Sequence, residues 1–330
     1  MSNWLQRVGA LFGERTGALP PAVAARSRAA LAVVRAPVAT PALVAAAATL
    51  PETAPDLQLP FFEWLLGAGP ALDTSLHDSE KLLLARLDTV LASDASRTSL
   101  LPRAPSVIPQ LLNSLRDESQ SAEALSQRVM KDPHLVAEVI RMANSTLTRG
   151  GTPVTEIAEA INRLGTDGLR RAVARVVLKP MFDGQADSLS ARCAPRLWQH
   201  SEAKASACLQ EATERGLDPF EGYLAGLMHN VGWTAALRAI DRSPGGAPTQ
   251  FSRAFVEAFE GRRETFFALL VMPWQLTDGL TALGVELLDG GLACATSRLG
   301  EALRAADERA SLEVLGAGGL LDSIEIGLAH

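Results

Sequence analysis

Positive side chains crowd into one stretch of the chain. Arg163, Arg170, Arg171, Arg175 and Lys179 follow one another with Asp167 as the only acid between them. The whole chain carries 31 basic and 37 acidic residues, a net charge of −6, so this stretch reverses the global sign. Arg171, Arg175 and Lys179 stand at i, i+4 and i+8 and would share one helix stripe. Guanidinium groups in a row suit carboxylate or phosphate, so the stripe would dock an acidic protein partner or an anionic nucleotide. The plainer alternative is a solvated face whose counter-charges come from neighbouring helices. The three cysteines, Cys193, Cys208 and Cys294, are too few and too scattered for a disulfide framework or a zinc site. No P-loop, G-x-S-x-G or Cys-x-x-Cys pattern is present. Overall acidity and the lack of a helix-turn-helix pattern argue against nucleic acid as the partner.

The elements that must position these groups read as helices. Hydrophobic residues make up 47% of the chain but aromatics only 5%, so the apolar mass is Ala, Leu and Val rather than large rings. Ala and Leu are strong helix formers, and runs of alternating β-branched residues are hard to find. Residues 1–97 form an Ala/Pro-rich N-terminal extension of short helices. It contains an apolar cluster at Phe61–Leu66 and a better helix at Ser79–Ala92, with Leu82, Leu83, Leu87, Val90 and Leu91 at helical spacing. Leu101–Pro105 is stiffened by its prolines, and Val107–Leu115 follows as a helix. Ser121 is placed to cap the next one, and Asp132-Pro133 to start another. Asn144-Ser145 closes that helix. Gly165 separates two further helices, and Pro180 ends the second. Helices are then expected over Trp198–Glu214, Pro219–His229, Ser252–Val271, Gln275–Leu288 and Gly291–Leu315. Residues 316–330 read as a Gly-rich tail. The longest apolar run, Pro41–Pro51, is too short for a bilayer, which needs about 20 residues. The N-terminus lacks the layout of a signal peptide, so a cytoplasmic protein is expected.

These segments carry a recognisable order. Leu101-Pro102 is followed by Asp132-Pro133-His134-Leu135, Met142-Ala143-Asn144-Ser145 and Ala160-Ile161-Asn162-Arg163-Leu164-Gly165. Then come Leu197-Trp198-Gln199-His200-Ser201, Gly226-Leu227-Met228-His229-Asn230-Val231-Gly232 and Trp274-Gln275-Leu276. The order resembles the HDOD family over residues 98–315. The resemblance implies an all-α, HD-domain-like multi-helix bundle carrying an N-terminal helical extension. It also implies a bacterial signal-transduction role exerted through protein partners, in settings such as cyclic di-GMP, stress or motility signalling.

The same resemblance sets a chemical question. HD-type hydrolases use two imidazoles and two carboxylates to hold divalent ions that acidify water and polarise phosphoryl oxygens. His200 and His229 match the first two positions. Asn230 stands where the Asp of the His-Asp pair is expected, and Ser297 aligns with the later Asp. Asn has a carbonyl oxygen but no charge, so it holds a hard cation weakly. No metal, cofactor or catalytic residue is therefore expected. His200, His229, Asn230 and Ser297 are expected to form a degenerate cleft, serving as a buried polar cluster or as a nucleotide pocket. Met228–Gly232 also reads as a helix end with Gly232 as the C-terminal cap. Trp198 and Trp274 read as core anchors.

Overall fold

The computed structural model describes residues 57–67, 75–101, 107–116, 122–145, 152–244 and 250–319. The Pro-rich region before residue 57, the segment after Leu101, the Ser121 cap, Gly245-Gly246 and residues 320–330 lie outside them. Among the described residues there is no strand. The helices are α1 (Gln58–Leu66), α2 (Asp78–Leu91), α3 (Asp94–Ser99), α4 (Val107–Arg116), α5 (Ala122–Val129), α6 (Pro133–Ser145) and α7 (Ile157–Leu178). After a 3₁₀ turn come α8 (Leu189–Glu214), α9 (Pro219–His229), α10 (Val231–Asp241), α11 (Arg253–Val271), α12 (Asp278–Gly290) and α13 (Arg298–Ala317). None is long and apolar enough to cross a membrane.

Local chemistry explains most of these bounds. Asp132 accepts from the amides of His134 (2.8 Å) and Leu135 (3.3 Å), while Asp218 accepts from Phe220 (2.9 Å). Each is followed by Pro at the first helical position, where a missing N–H costs nothing. Gly165 has φ of 63° and breaks α7 into two pieces, a backbone state that glycine adopts without penalty. Asn144 does more than end α6. Its amide pairs both ways with the backbone of Val154, at 2.9 and 2.7 Å, and so pins the segment leading into α7. α8 begins nine residues before the expected start at Trp198, and Pro195 lies inside it. Its first amides, Leu189 and Ser190, donate to the Asp241 carboxylate.

α8 is the central helix of the second half. α9 and α13 pack along it, and α10 carries α11, which in turn carries α12. Ahead of them α6 packs on α7, flanked by α4 and α5. Glycines set the close approaches. A Cβ at Gly226 would lie 2.7 Å from the Lys204 carbonyl oxygen and the Ala205 Cα, and one at Gly222 would lie 2.7 Å from the Cys208 carbonyl oxygen. The two glycines sit one turn apart on α9 and let it approach α8 closely. Gly232 lies inside α10 rather than capping a helix. A side chain there would run into the Arg263 carbonyl of α11.

The extension packs into the same core. Phe61, Phe62 and Leu65 of α1 are buried. Phe62 meets Trp233, Phe251 and Phe259 with ring centroids 5.4 to 5.7 Å apart. Glu80 of α2 is 1% exposed and joins two helix starts. It accepts from the His77 amide (2.8 Å), the Ser252 amide (2.6 Å) and the Ser252 hydroxyl (2.7 Å). Arg238 donates to the carbonyls of Leu100 (2.7 Å) and Met181 (2.9 Å), closing the helix ends before α4 and after α7. At the other end α13 runs to Ala317, past the expected start of the tail.

Candidate functional site: a buried His–Lys–Asn–Asp cluster

Three helices and one junction build the cluster. His200, Ser201 and Lys204 lie on the buried face of α8. His229 is the last residue of α9, and Asn230 is the junction residue before α10. Asp307 and Ser311 project from α13 one turn apart, matching His200 and Lys204 one turn apart on α8. The helices run antiparallel, so Ser311 meets His200 (3.2 Å) and Asp307 meets Lys204 in an ion pair. His200 is 2% exposed, while Lys204, His229 and Asn230 are fully buried. The Asp307 side chain is 24% exposed and forms the outer edge.

Hydrogen-bond bookkeeping fixes the protons. The Lys204 ammonium has three donors and meets three acceptors: His229 Nδ1 at 3.0 Å, Asn230 Oδ1 at 2.9 Å and the Asp307 carboxylate. Asn230 must turn its oxygen to Lys204, so its NH₂ faces α8. There it donates to His200 Nδ1 (3.0 Å) and Ser201 Oγ (2.9 Å), while the Ser201 hydroxyl donates to the Leu197 carbonyl (2.8 Å). His200 therefore carries its proton on Nε2, towards Ser311. His229 likewise carries its proton on Nε2, which lies 3.5 Å from Arg263. Two donors face each other there, so that contact is no hydrogen bond.

The charges follow from burial. Both imidazoles are held well below their ordinary pKa, first by desolvation and then by the Lys204 charge, so both are neutral. Burial also lowers the pKa of Lys204, with Asp307 opposing that shift. Asp307 itself is pushed up by burial, but Lys204 and the other facing groups outweigh this and hold it far below the usual carboxylate range. Beside the cluster, Arg263 pairs with Glu260 and lies over the Trp233 ring at 5.4 Å. Glu264, pushed up to about 7 by burial, accepts from the Leu292 amide at 2.9 Å. Phe61 of α1 closes the remaining side, its ring centroid 4.4 Å from that of His200.

The donor set does not fit a divalent ion. A metal on His229 Nδ1, Asn230 Oδ1 and Asp307 would need bonds of roughly 2.0–2.2 Å to atoms that already surround an ammonium. Neither imidazole is left as a free base. The lone pair of His200 Nδ1 is taken by Asn230, and that of His229 Nδ1 by Lys204. The arrangement can clamp helices together.

His200, His229 and Asn230 thus come together as the sequence suggested, whereas Ser297 does not join them. Ser297 is the N-cap of α13, accepting from the Gly300 amide at 3.0 Å and donating to Glu286 at 2.7 Å. The carboxylate facing the histidines is Asp307, ten positions and roughly 15 Å further along the helix. Lys204 likewise belongs to no motif in the sequence. Its signal is positional: it falls four residues after His200 and four before Cys208, on the apolar stripe of α8. Asp307 sits among Arg304, Glu308 and Arg309 and reads as a solvent-facing residue.

The five cations are not one exposed stripe. Arg163 lies before the Gly165 break and pairs with Glu159 (3.1 Å), and Arg170 pairs with Asp167 (3.2 Å). Arg171 donates to the Asp167 carbonyl (3.3 Å). Arg175 is largely buried, bonded to Glu138 of α6 (2.6 Å) and to Glu202 of α8, and it lies over Trp198 at 5.7 Å. Lys179 is exposed. Trp274 is buried, and Trp198 is half-buried against Phe182 at 5.2 Å.

Comparison with known proteins agrees with this architecture. Among curated proteins there is no significant match. A crystal structure of a candidate metal-dependent phosphohydrolase from Shewanella amazonensis SB2B is similar at 20% identity. The similarity covers 76% of this chain and 98% of that one, with a TM-score of 0.51. At that identity it speaks for the fold. An HDOD domain protein of unknown function from Geobacter sulfurreducens is 21% identical over 69% of this chain and 77% of its own, with a TM-score of 0.48. A family model for the HDOD domain matches residues 101–280, more than half of the chain. The protein belongs to the HDOD domain family.

Proposed function

We propose that this protein is a non-catalytic regulatory module that acts in bacterial signal transduction through protein partners in the cytoplasm. The observation that carries the reading is the saturation of the buried cluster. His229 Nδ1 and Asn230 Oδ1 accept from Lys204, and His200 Nδ1 accepts from Asn230, so both imidazoles of the HD-type pattern have their lone pairs engaged within the chain. A nucleotide would have to displace Phe61 from His200 and break this network to enter the cleft. The basic stretch is a weaker alternative for a nucleotide, because Arg175, its central member, is committed to Glu138 and Glu202. What remains for function is the outer surface of the helices, including the second piece of α7 with Arg171 and Lys179. An acidic protein surface is the partner that suits it.

The test begins with hydrolysis. Purified protein supplied with Mn²⁺ is expected to turn over cyclic dinucleotides and phosphomonoesters no faster than a His200→Ala, His229→Ala double variant. Turnover clearly above that background would sink the reading. Calorimetry with cyclic dinucleotides and (p)ppGpp at high micromolar concentration is expected to give no heat. Partner capture from native lysate is expected to weaken in Arg171→Glu, Lys179→Glu, a variant that leaves the Arg175 ion pairs intact.

A further inference from the structure

We propose that the Lys204 ammonium is the permanent cation of the buried cluster, standing where a divalent ion would otherwise be held, so that the domain assembles independently of metal. The inference rests on the non-catalytic reading above and adds to it a specific residue and a specific consequence.

Geometry carries it. Three acceptors from three separate elements converge on one nitrogen: His229 Nδ1 from the end of α9, Asn230 Oδ1 from the α9–α10 junction and the Asp307 carboxylate from α13. One neutral nitrogen, one neutral oxygen and one carboxylate make a mixed cage suited to a monovalent hydrogen-bonding cation. The count of three acceptors equals the three N–H donors of an ammonium. Lys204 is fully buried, and its backbone carbonyl is one of the α8 atoms that Gly226 of α9 approaches closely.

Charge balance points the same way. Lys204 faces Asp307, and the neighbouring Arg263 faces Glu260 and Glu264, the last at 3.7 Å. A divalent ion entering this volume would meet the Lys204 ammonium at the cage and the Arg263 guanidinium beside it. Asp307 and Glu260 already answer these two cations, and the third acid, Glu264, is pushed up to about 7 by burial and is tied to the Leu292 amide. Asn230 fits the same logic. Its NH₂ must donate to His200 and Ser201 while its oxygen serves Lys204. A carboxylate there would have no hydrogen for either group on α8.

The consequence is testable on the protein as it exists. Wild-type protein of all 330 residues, dialysed and measured by elemental analysis after exposure to Mn²⁺, is expected to retain well under a tenth of an equivalent. Its Tm is expected to stay the same in EDTA and in millimolar Mn²⁺. Stoichiometric retention, or a saturable Mn²⁺-dependent rise in Tm, overturns the proposal. Two variants then ask whether Lys204 is the cation. Lys204→Ala is expected to lower Tm by roughly 5–10 °C. Lys204→Ala, Asn230→Asp is expected to recover part of that loss with Mn²⁺ and to lose the recovery when Asp307→Asn is added. If Lys204→Ala melts with the wild type, Lys204 is not holding the cluster and the proposal fails. Lys204→Arg keeps the charge and serves if the alanine variants do not fold; it is expected to stay metal-free. Metal uptake by wild type would refute this inference alone, whereas Mn²⁺-dependent turnover would refute the functional reading.

Discussion

Asn230 shows how one side chain can look like a lost ligand and be a required one. Its amide is the only group in the cluster that both accepts from Lys204 and donates to α8. Asn230→Ala removes both functions at a fully buried position. A buried polar group left unsatisfied costs about 1–3 kcal/mol, and here Lys204 and His200 each lose a partner. A total loss of ~2–5 kcal/mol is expected, measured by urea unfolding. Ser297→Ala provides the contrast. It removes a helix cap whose loss typically costs about 1 kcal/mol, and it is expected to leave the imidazole titrations unchanged by NMR. Equal effects from the two substitutions would show that Asn230 contributes no more than an ordinary helix cap.

At the scale of helices, the close approach of α9 to α8 decides whether His229 can reach Lys204 at all. Gly226→Ala would press a methyl group to within 2.7–2.8 Å of the α8 backbone. Overpacking of this kind costs ~1–3 kcal/mol. Gly261, in the interior of α11, has no atom within 4 Å of the corresponding position. Gly261→Ala is expected to stabilise by ~0.5–1 kcal/mol, the ordinary helix-propensity difference. Thermal melts of the two variants should move in opposite directions.

Much of this level was legible in the sequence. Asp132-Pro133 and Gly165 act locally, so their roles could be read from residue type and position. The start of α8 was not legible, because Pro195 looks like a breaker. The helix nevertheless starts at Leu189, where its first amides, Leu189 and Ser190, find Asp241 fifty residues away. The histidines and Asn230 were legible from their order along the chain. Asp307 and Lys204 were not, because a charged residue becomes buried only through a partner on another helix. Arg175 shows the same limit: counter-charges from neighbouring helices were one of the two readings of the stripe, but which acids of α6 and α8 supply them could not be read.

At the scale of the whole molecule, the cluster couples stability to pH. Both imidazoles are neutral in the fold, with values below the 6.5 of the free group. An unfolded chain binds their protons below that pH, so the stability they contribute is present above about 6.5 and is lost as pH falls. Each accounts for up to about 1.4 kcal/mol per pH unit. Glu264 acts in the opposite sense. Its folded value of about 7 lies above the ordinary 4.5, so between those values the fold holds a proton that the unfolded chain does not. The net expectation is a loss of roughly 1.4 kcal/mol per unit between pH 6.5 and 5. Urea midpoints across that range check it, and Glu264→Gln should steepen the slope. The described part of the extension and α13 share this fate. Phe61 covers His200 from outside residues 101–280, and Asp307 and Ser311 enter from the other flank. The matched domain alone would lack one wall and one charge of its own cluster.

The central claim is that Lys204 and Asp307 form the internal ion pair around which the cluster closes. A double-mutant cycle with Lys204→Met and Asp307→Leu tests it most directly, read as urea-unfolding free energies at pH 7.5. Breaking a buried pair from one side typically costs about 3–5 kcal/mol, whereas replacing both partners with apolar groups is far milder. The account predicts that the double variant is more stable than the sum of the single losses implies, by at least ~2 kcal/mol of coupling. Additive losses, with coupling within about 0.5 kcal/mol of zero, would contradict it.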